Sequence, residues 1–423
     1  MLRFSPSSTK DLSIGNLRVA LFNYILSKQR DEELLVRIED SNSESNIAQK
    51  DKEILAYLDL FGIEYSNVVY QSDNLKIHRR MAIQLLQSKY AFSCFCSNEV
   101  LQKRCKEAKV ANEECFYDGT CSNLLPQDVI DNVNPFTIRI KKPDFNIEVD
   151  DLIKGKLSFT PNSVDSFIIM SAEKTPTYNF ASSIDDMLAD ISLVIRDEEY
   201  LRDTPRQIAI RSALGYDKRV TYAHLPTISN GELISVKWLI EEGYLPSAII
   251  NYLLSIGNVV STEIFTLKEA IEWFNIENIS NSPVSFELEK LKLLNRAHLN
   301  MMDDLELSRY VGFADEKIGK LAKLYLKEHS TTVELKSKIE PIFKSRSSCG
   351  EYSKSVELLQ NIIKKAPFFK DYDSFKKYLI SESGLKNDDF LKSIRVVLTN
   401  AEDGPDLNEI YDCIKEYLEE IVK

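Results

Sequence analysis

Three groups of residues have the types and spacing to do chemistry. The first is Ser5-Pro6-Ser7-Ser8-Thr9-Lys10, a small polar stretch between an apolar opening at Leu2 and Phe4 and a helix that begins near Gly15-Asn16. A loop running from a first strand into a helix leaves backbone N–H groups at the helix N-terminus, where the macrodipole also favours anions. Gly15 allows a close backbone approach. That is a seat for phosphate; taken alone, the loop reads equally well as an ordinary strand–helix turn. The second group is cysteines. Five of the seven (Cys94, Cys96, Cys105, Cys115, Cys121) fall within 28 positions, while Cys349 and Cys413 stand alone. An odd, clustered set reads as a metal site in a reducing compartment rather than a disulfide framework. Buried free thiols are the alternative. The third group is Lys364, Lys365, Lys370, Lys376 and Lys377 alternating with Phe368, Phe369, Tyr372, Phe375 and Tyr378. Cations with aromatics can hold phosphates and stack on unpaired bases. The same pattern fits a helix core with a solvated face better.

The elements that position these groups follow from apolar periodicity. Leu17, Ala20, Leu21, Tyr24 and Ile25 recur on one helix face, and Leu34-Leu35-Val36-Arg37-Ile38 has strand character. A helix with Ile54, Leu55, Tyr57, Leu58 and Leu60 follows. Strand, loop, helix, strand, helix predicts a parallel sheet with crossover helices. Residues 72–176 differ. They open with a helix (Met81, Ile83, Leu85, Leu86), pass through the cysteines and turn strand-like at 136–140 and 166–170, which reads as an α+β insertion. α/β character returns at 178–230, with 191–195 as a buried strand. From 233 onward the pattern is helical (236–242, 246–256, 267–274, 286–294), broken at Ser280-Asn281-Ser282-Pro283. Residues 301–423 read as a separate all-α bundle.

The 423 residues suggest two to four domains. With 43% hydrophobic and 28% charged residues the chain is globular, not disordered. No run of about 18 apolar residues is present, so no membrane span is expected, and no leader pattern is evident at the start. A net charge of −12 argues against non-specific coating of nucleic acid and leaves a local basic face open.

Taken in collinear order, the motifs resemble the bacterial class I glutamyl-tRNA synthetases. Arg3-Phe4-Ser5-Pro6-Ser7-Ser8-Thr9-Lys10-Asp11-Leu12-Ser13-Ile14-Gly15-Asn16-Leu17-Arg18 is similar to that family's opening R-F-A-P-S-P-T-G-x-L-H-I-G-x-x-R. Arg37-Ile38-Glu39-Asp40 matches R-I-E-D. Pro176-Thr177-Tyr178-Asn179-Phe180, Asp185-Asp186, Ile195-Arg196, Tyr222-Ala223-His224-Leu225-Pro226, Trp238-Leu239 and Leu245-Pro246 match later segments. The likeness is strongest over 1–100 and 165–275 and fades after 300.

The resemblance implies a Rossmann-like catalytic domain split over 1–71 and 177–232, and an insertion at 72–176 that takes the tRNA acceptor end. It further implies a stem-contacting helical region at 233–300 and an anticodon-binding-like helical domain at 301–423. The implied activity is ATP-dependent attachment of glutamate to tRNA of the Glu or Gln type, by a cytoplasmic monomer. It implies that Arg3, Ser7, Glu39, Tyr178 and Arg196 hold glutamate. Arginine suits this because its planar fork binds carboxylate in bidentate fashion. It places Thr9, Ile14, Gly15 and Asn16 on ATP with Mg²⁺, and Ser13 and Gly15 at the catalytic signature. It also implies structural zinc on Cys94, Cys96 and Cys121. Tyr117 would be the fourth ligand, with Cys105 or Cys115 as alternatives.

The departures fall on the ATP end. Ser13 stands where the family has His, and the four histidines (His78, His224, His298, His329) lie far from this loop in sequence. A serine hydroxyl is shorter and carries no positive charge. Ser8 replaces Pro and Lys10 replaces Gly. Between Ile228 and Ser235 the family's lysine-bearing K-M-S-K-R-like loop gives way to Ser229-Asn230-Gly231-Glu232-Leu233-Ile234, about ten residues shorter. Ser41-Asn42-Ser43-Glu44-Ser45-Asn46 lacks one acid and one arginine of the family's continuation. Class I adenylation rests on positioning and electrostatics, so these changes predict weak or lost adenylation. The alternative is a catalytically inactive paralogue that still binds tRNA or glutamate.

Overall fold

The apolar opening forms the middle of a sheet. In the computed structural model, which describes residues 1–41, 46–110, 115–230, 234–260, 262–344 and 352–423, Leu2–Phe4 is a fully buried strand. In chain order the principal strands are β1 (Leu2–Phe4), β2 (Leu34–Ile38), β3 (Asn67–Tyr70), β4 (Ala91–Cys94) and β5 (Thr137–Ile140). They continue with β6 (Ile147–Asp151), β7 (Gly155–Phe159), β8 (Ile168–Met170), β9 (Leu193–Asp197) and β10 (Thr221–Leu225). The main sheet has the order β3-β2-β1-β9-β10-β6-β7. Every pairing is parallel except β6 with β7. The strand order reverses between β1 and β9, and in such open sheets ligands sit beyond the carboxyl ends of the strands at that point.

Helices cross between the strands: α1 (Ile14–Arg30), α2 (Lys50–Leu60) and α3 (Leu75–Gln87), then α4 (Asn98–Val110) and α5 (Pro126–Asp131), then α6 (Tyr178–Leu188) and α7 (Thr204–Ala213). α1 starts because Ser13 caps it, accepting the N–H of Asn16, and stops at Asp31, whose backbone is left-handed. Leu17, Ala20, Leu21 and Ile25 are buried, as the periodicity predicts.

The segment 72–176 divides its strands. β4, β5 and β8 make a separate antiparallel sheet, whereas β6 and β7 extend the main one. The reason is local: Ile147 and Val149 are buried while Glu148 between them is exposed, so β6 presents an apolar face to the core that holds Phe180, Val194 and Tyr222. Among the described residues after 233, helices run over Val236–Glu241, Pro246–Ser255, Leu267–Trp273 and Leu288–Met301. The exception is a two-residue strand, Val284–Ser285, which pairs with Ile228–Ser229.

Two units make up the chain. One comprises Met1–Val236, Leu253–Ser261 and Phe265–Phe286; the other comprises Lys237–Tyr252, Thr262–Ile264 and Glu287–Lys423. The second is helical around a core that includes Leu307, Leu321, Leu335, Leu359, Phe375, Phe390 and Ile410. Its helices pass closely: a Cβ on Gly319 would stand 1.8 Å from the Asp304 carbonyl oxygen. Tyr372 and Phe375 belong to this core while Phe368 is exposed, so most of the aromatic run serves packing.

Candidate active site

A cleft of about 240 Å³ opens at the carboxyl ends of β1 and β9. Its wall includes Arg3, Ser7, Glu39, Tyr178 and Arg196, and also Ser13, Gly15 and Asn16. The sequence scatters these residues over 194 positions, and the sheet gathers them. Of the remaining expected site residues, Thr9 bonds Ser7, oxygen to oxygen at 2.9 Å. Ile14 is buried in the core, with its N–H on the Ile234 carbonyl. Neither lines the cleft.

Below the cleft lies a buried ion network. Asp186 Oδ1 on α6 accepts Nε of Arg3 at 3.3 Å and Nη1 of Arg37 at 2.5 Å. Arg3 also donates to the Ile195 carbonyl, tying β1 to β9, and Arg37 reaches Glu39 at 3.4 Å. Burial alone would raise the Asp186 pKa, but the two guanidiniums outweigh it and hold the carboxyl at about 2. Glu39 is in the opposite state: burial pushes its carboxyl up against the pull of Arg37 and Arg3. A cation entering the cleft would relieve it. The neighbouring Asp185 accepts Gln71, Asn74 and His78 at 2.8–2.9 Å, fixing α6 to the start of α3.

The wall carries Arg3, Arg196 and Lys10 against Asp11, Glu39, Asp197 and Glu199, and the two guanidiniums with Glu39 can take a molecule with two anionic groups and one cationic group. Tyr178 closes the wall against Tyr200, ring centroids 5.7 Å apart. Its phenol is pushed up to about 12 by burial and by Glu39.

The other end of the cleft belongs to the first turn of α1. Glu39 N–H donates to the Pro6 carbonyl, and Val236 N–H donates to the Leu12 carbonyl, so the loop is held from both sides. Ser13 spends its hydroxyl on Asn16, donating to Oδ1 at 3.1 Å and accepting the backbone N–H at 3.2 Å. Gly15 has no demand from the fold: a Cβ there would make only ordinary contacts, 3.7 Å to Ser13 Oγ and 4.0 Å to Asp197 Oδ2. Lys10 is the one lysine on the wall among the described residues. Asp197, on the same wall, is raised to about 6 by burial and by Glu199, partly offset by Arg18 and Lys10. Asn230 has φ +60°, consistent with a tight turn after Ile228. Gly231, Glu232 and Leu233 of that short loop lie outside the described residues, as do 42–45 of the stretch after Asp40.

The thiols of Cys94, Cys96 and Cys121 lie within 4.8 Å of one another. Cys96 and Cys121 sulfurs are 3.7 Å apart, and Tyr117 Oη stands 3.4 Å from Cys94 and 3.6 Å from Cys96. Two thiolates on one tetrahedral zinc at ~2.3 Å stand about 3.8 Å apart, so this set fits such an ion. Arg139 lies 4.1 Å over the Tyr117 ring and helps lower the Cys94 thiol against the effect of burial. Cys105 and Cys115 are joined in a disulfide, so neither is a fourth ligand.

Sequence reasoning named no role for Arg37, Asp186, Asp151 or His224. Their signal was available: charged or polar residues inside apolar runs, such as Val36-Arg37-Ile38 and Ala223-His224-Leu225, are exposed by no periodicity and so require buried partners.

A parallel sheet with a helix N-terminus and an amino-acid-sized polar cleft at its switch point is a doubly wound α/β arrangement of the kind that binds nucleotides and small molecules. A family model described as tRNA synthetases class I (E and Q), catalytic domain, matches residues 1–293. Glutamate–tRNA ligase 2 of Sulfurimonas denitrificans is 55% identical, and glutamate–tRNA ligase 1 of Nitratiruptor sp. 48%, each over 100% of both chains. A glutamate tRNA ligase from Elizabethkingia meningosepticum, solved with its amino acid, superimposes with a TM-score of 0.81 at 24% identity. It covers 100% of this chain and 98% of its own. The chain belongs to the glutamate–tRNA ligase family. No helix among the described residues is long and apolar enough to cross a membrane.

Two predictions follow from the network. Asp186→Ala removes the carboxylate that Arg3 and Arg37 share, leaving Arg37 only Glu39 and the more distant Asp185, and is expected to cost about 3–5 kcal/mol in a urea titration. A loss under about 1 kcal/mol would show that the network is not needed. Asp197 binds its proton more tightly folded than unfolded, so its ionised form favours the unfolded chain. Its contribution makes stability fall as pH rises from about 4 to about 6, and Asp197→Asn should remove that part of the slope.

Proposed function

We propose that this chain ligates glutamate to tRNA of the Glu or Gln type, as a cytoplasmic monomer, with an adenylation step weakened at its phosphate end. The observation that carries the reading is the convergence of Arg3, Ser7, Glu39, Tyr178 and Arg196 on one cleft that runs to the N-terminus of α1. Arg3 and Arg196 take the two carboxylates, and Glu39 takes the ammonium. Gly15 and Asn16, with Thr9 and Ile14 framing the turn, receive the phosphates of ATP, with Mg²⁺ as counter-ion. The carboxylate of glutamate attacks the α-phosphate, and negative charge builds on phosphate oxygens. Ser13 supplies no charge there. Lys10 does, and we assign it part of the role of the missing groups.

In this reading 1–71 and 177–232 form the catalytic domain and 72–176 takes the acceptor end. Residues 233–300 contact the stem and 301–423 read the anticodon. Zinc on Cys94, Cys96, Tyr117 and Cys121 stiffens the insertion. A second reading, a silent tRNA- or glutamate-binding paralogue, is favoured by one observation: the Ser13 hydroxyl is committed to capping α1.

The test is aminoacylation with ATP, Mg²⁺, labelled glutamate and total tRNA. Label on tRNA above a no-ATP control is expected, with Lys10→Ala lowering the rate about 10²-fold, the scale of one transition-state donor. No label, with tRNA still retained on a filter, would establish the silent paralogue. For the insertion, elemental analysis should find one zinc per chain, lost in Cys96→Ser together with protease resistance of 72–176. An equal metal content in that variant would overturn the assignment.

A further inference from the structure

Arg196, on β9, is held from behind by a chain of buried groups drawn from the two strands beyond it, β10 and β6, and from α7. Its Nε donates to His224 Nε2 at 3.2 Å, Nη1 to Gln207 Oε1 at 3.1 Å and Nη2 to Thr204 Oγ1 at 2.6 Å. Guanidinium has five N–H groups, so two remain for what enters the cleft. Thr204, having accepted from Arg196, turns its own hydroxyl hydrogen to His224 Nε2 at 2.9 Å. Two donors therefore point at Nε2, which must be bare. The ring proton sits on Nδ1, 2.6 Å from Asp151 Oδ2.

Asp151 is saturated in turn. Oδ2 also accepts the His224 N–H at 3.1 Å, and Oδ1 accepts the N–H groups of Ile153 and Lys154 at 2.9 and 2.7 Å. Four donors on one carboxylate leave it a single orientation. His224 and the Asp151 side chain are fully buried, and the His224 ring stacks on Tyr222 at 5.8 Å.

We propose that His224 and Asp151 are positioning residues for the substrate-facing guanidinium of Arg196, with His224 locked as the neutral Nδ1–H tautomer. The proposal rests on the reading that Arg196 binds glutamate. The geometry argues for a device rather than mere packing. A buried arginine needs acceptors, and backbone carbonyls would serve. Here the Nε acceptor is an imidazole whose tautomer is set by a carboxylate two strands away. The same logic holds a histidine ring in place for catalysis elsewhere in protein chemistry.

The charged groups facing His224 are Asp151 on β6, Arg196 on β9 and Lys154 beyond β6, the last paired with Glu198 at 2.6 Å. Burial, Arg196 and Lys154 disfavour its protonation and Asp151 favours it; the balance lies below the ordinary histidine value. Its neutral form therefore persists through the range in which an exposed histidine would charge.

The experiment combines three readouts on the full chain. The first is the ¹⁵N–¹H spectrum of the ring nitrogens, with only four histidines to assign. His224 should be the Nδ1–H tautomer from pH 5.5 to 8, whereas solution histidine favours Nε2–H. The second is the dissociation constant of labelled glutamate by equilibrium dialysis with tRNA present, which does not need adenylation. His224→Phe keeps the ring stack but offers Arg196 no acceptor, and should weaken glutamate about 10- to 100-fold. His224→Gln, which restores an oxygen near the Nε2 position, should recover most of that loss. The third is Asp151→Asn, which should flip His224 to Nε2–H and weaken glutamate alongside. An Nε2–H tautomer in the native chain would overturn the proposal even if every variant failed to fold. So would folded His224→Phe binding glutamate like the native chain while Arg196→Ala does not. Arg196→Ala binding as tightly as native would overturn the pocket assignment, and the relay's role with it.

Discussion

The cleft depends on one carboxylate. Asp186 projects from α6 and takes Arg3 from β1 and Arg37 from β2; it is the carboxylate that both buried guanidiniums share. The cost of burying an unpaired guanidinium is several kcal/mol, so neither strand can move relative to α6 without losing the pairing. Asp185, next in the chain, faces Gln71, Asn74 and His78 and fixes the same helix to α3. Adjacent residues on one turn thus hold the sheet and the start of α3 together. The network holds two arginines against Asp186, Asp185 and Glu39, so it carries a small excess of negative charge near Glu39. In the proposed reading the ammonium of glutamate completes that balance beside Glu39.

Arg196 is held differently. Among the described residues no acid pairs with it; Gln207, Thr204 and His224 are neutral acceptors, and in the proposed reading its charge is left for a carboxylate of glutamate. An arginine already paired with a carboxylate would offer less. Orientation then has to come from somewhere else, and β6 supplies it. β6 lies beside β10 in the main sheet, and from that position Asp151 reaches the ring of His224. The inserted segment therefore supplies two strands of the main sheet besides forming its own antiparallel sheet.

Much of this was legible in the residues. β1, α1, β2 and α2 follow from periodicity because each buries one face or both, and the helices after 233 follow for the same reason. β9 was expected at 191–195 and lies two residues later. The five glutamate-side residues came from resemblance, and the sheet does bring them together. What periodicity could not supply was pairing at a distance. Asp151, Arg196 and His224 are separated by up to 73 positions, and no local pattern states that they meet. β6 and β7 were missed because a short alternating strand looks the same whether it edges a small sheet or extends a large one. Cys105 and Cys115 were weighed as metal ligands from clustering alone, since spacing does not reveal which sulfurs share a face.

At the first turn of α1, the end proposed to take phosphate, stability is set against chemistry. Serine is among the best N-caps, and Ser13 gives α1 about 1 kcal/mol of helix start that a histidine would not. That gain comes with a hydroxyl turned into the helix and no charge offered to the cleft. Gly15 works in the other direction. Glycine is the poorer helix former by up to about 1 kcal/mol, its backbone here is not left-handed, and a Cβ would meet nothing closer than 3.7 Å. The fold alone would be better served by alanine. A site shaped only by folding gives no reason for a bare backbone on the cleft wall; a ligand that must touch the first turn of α1 does.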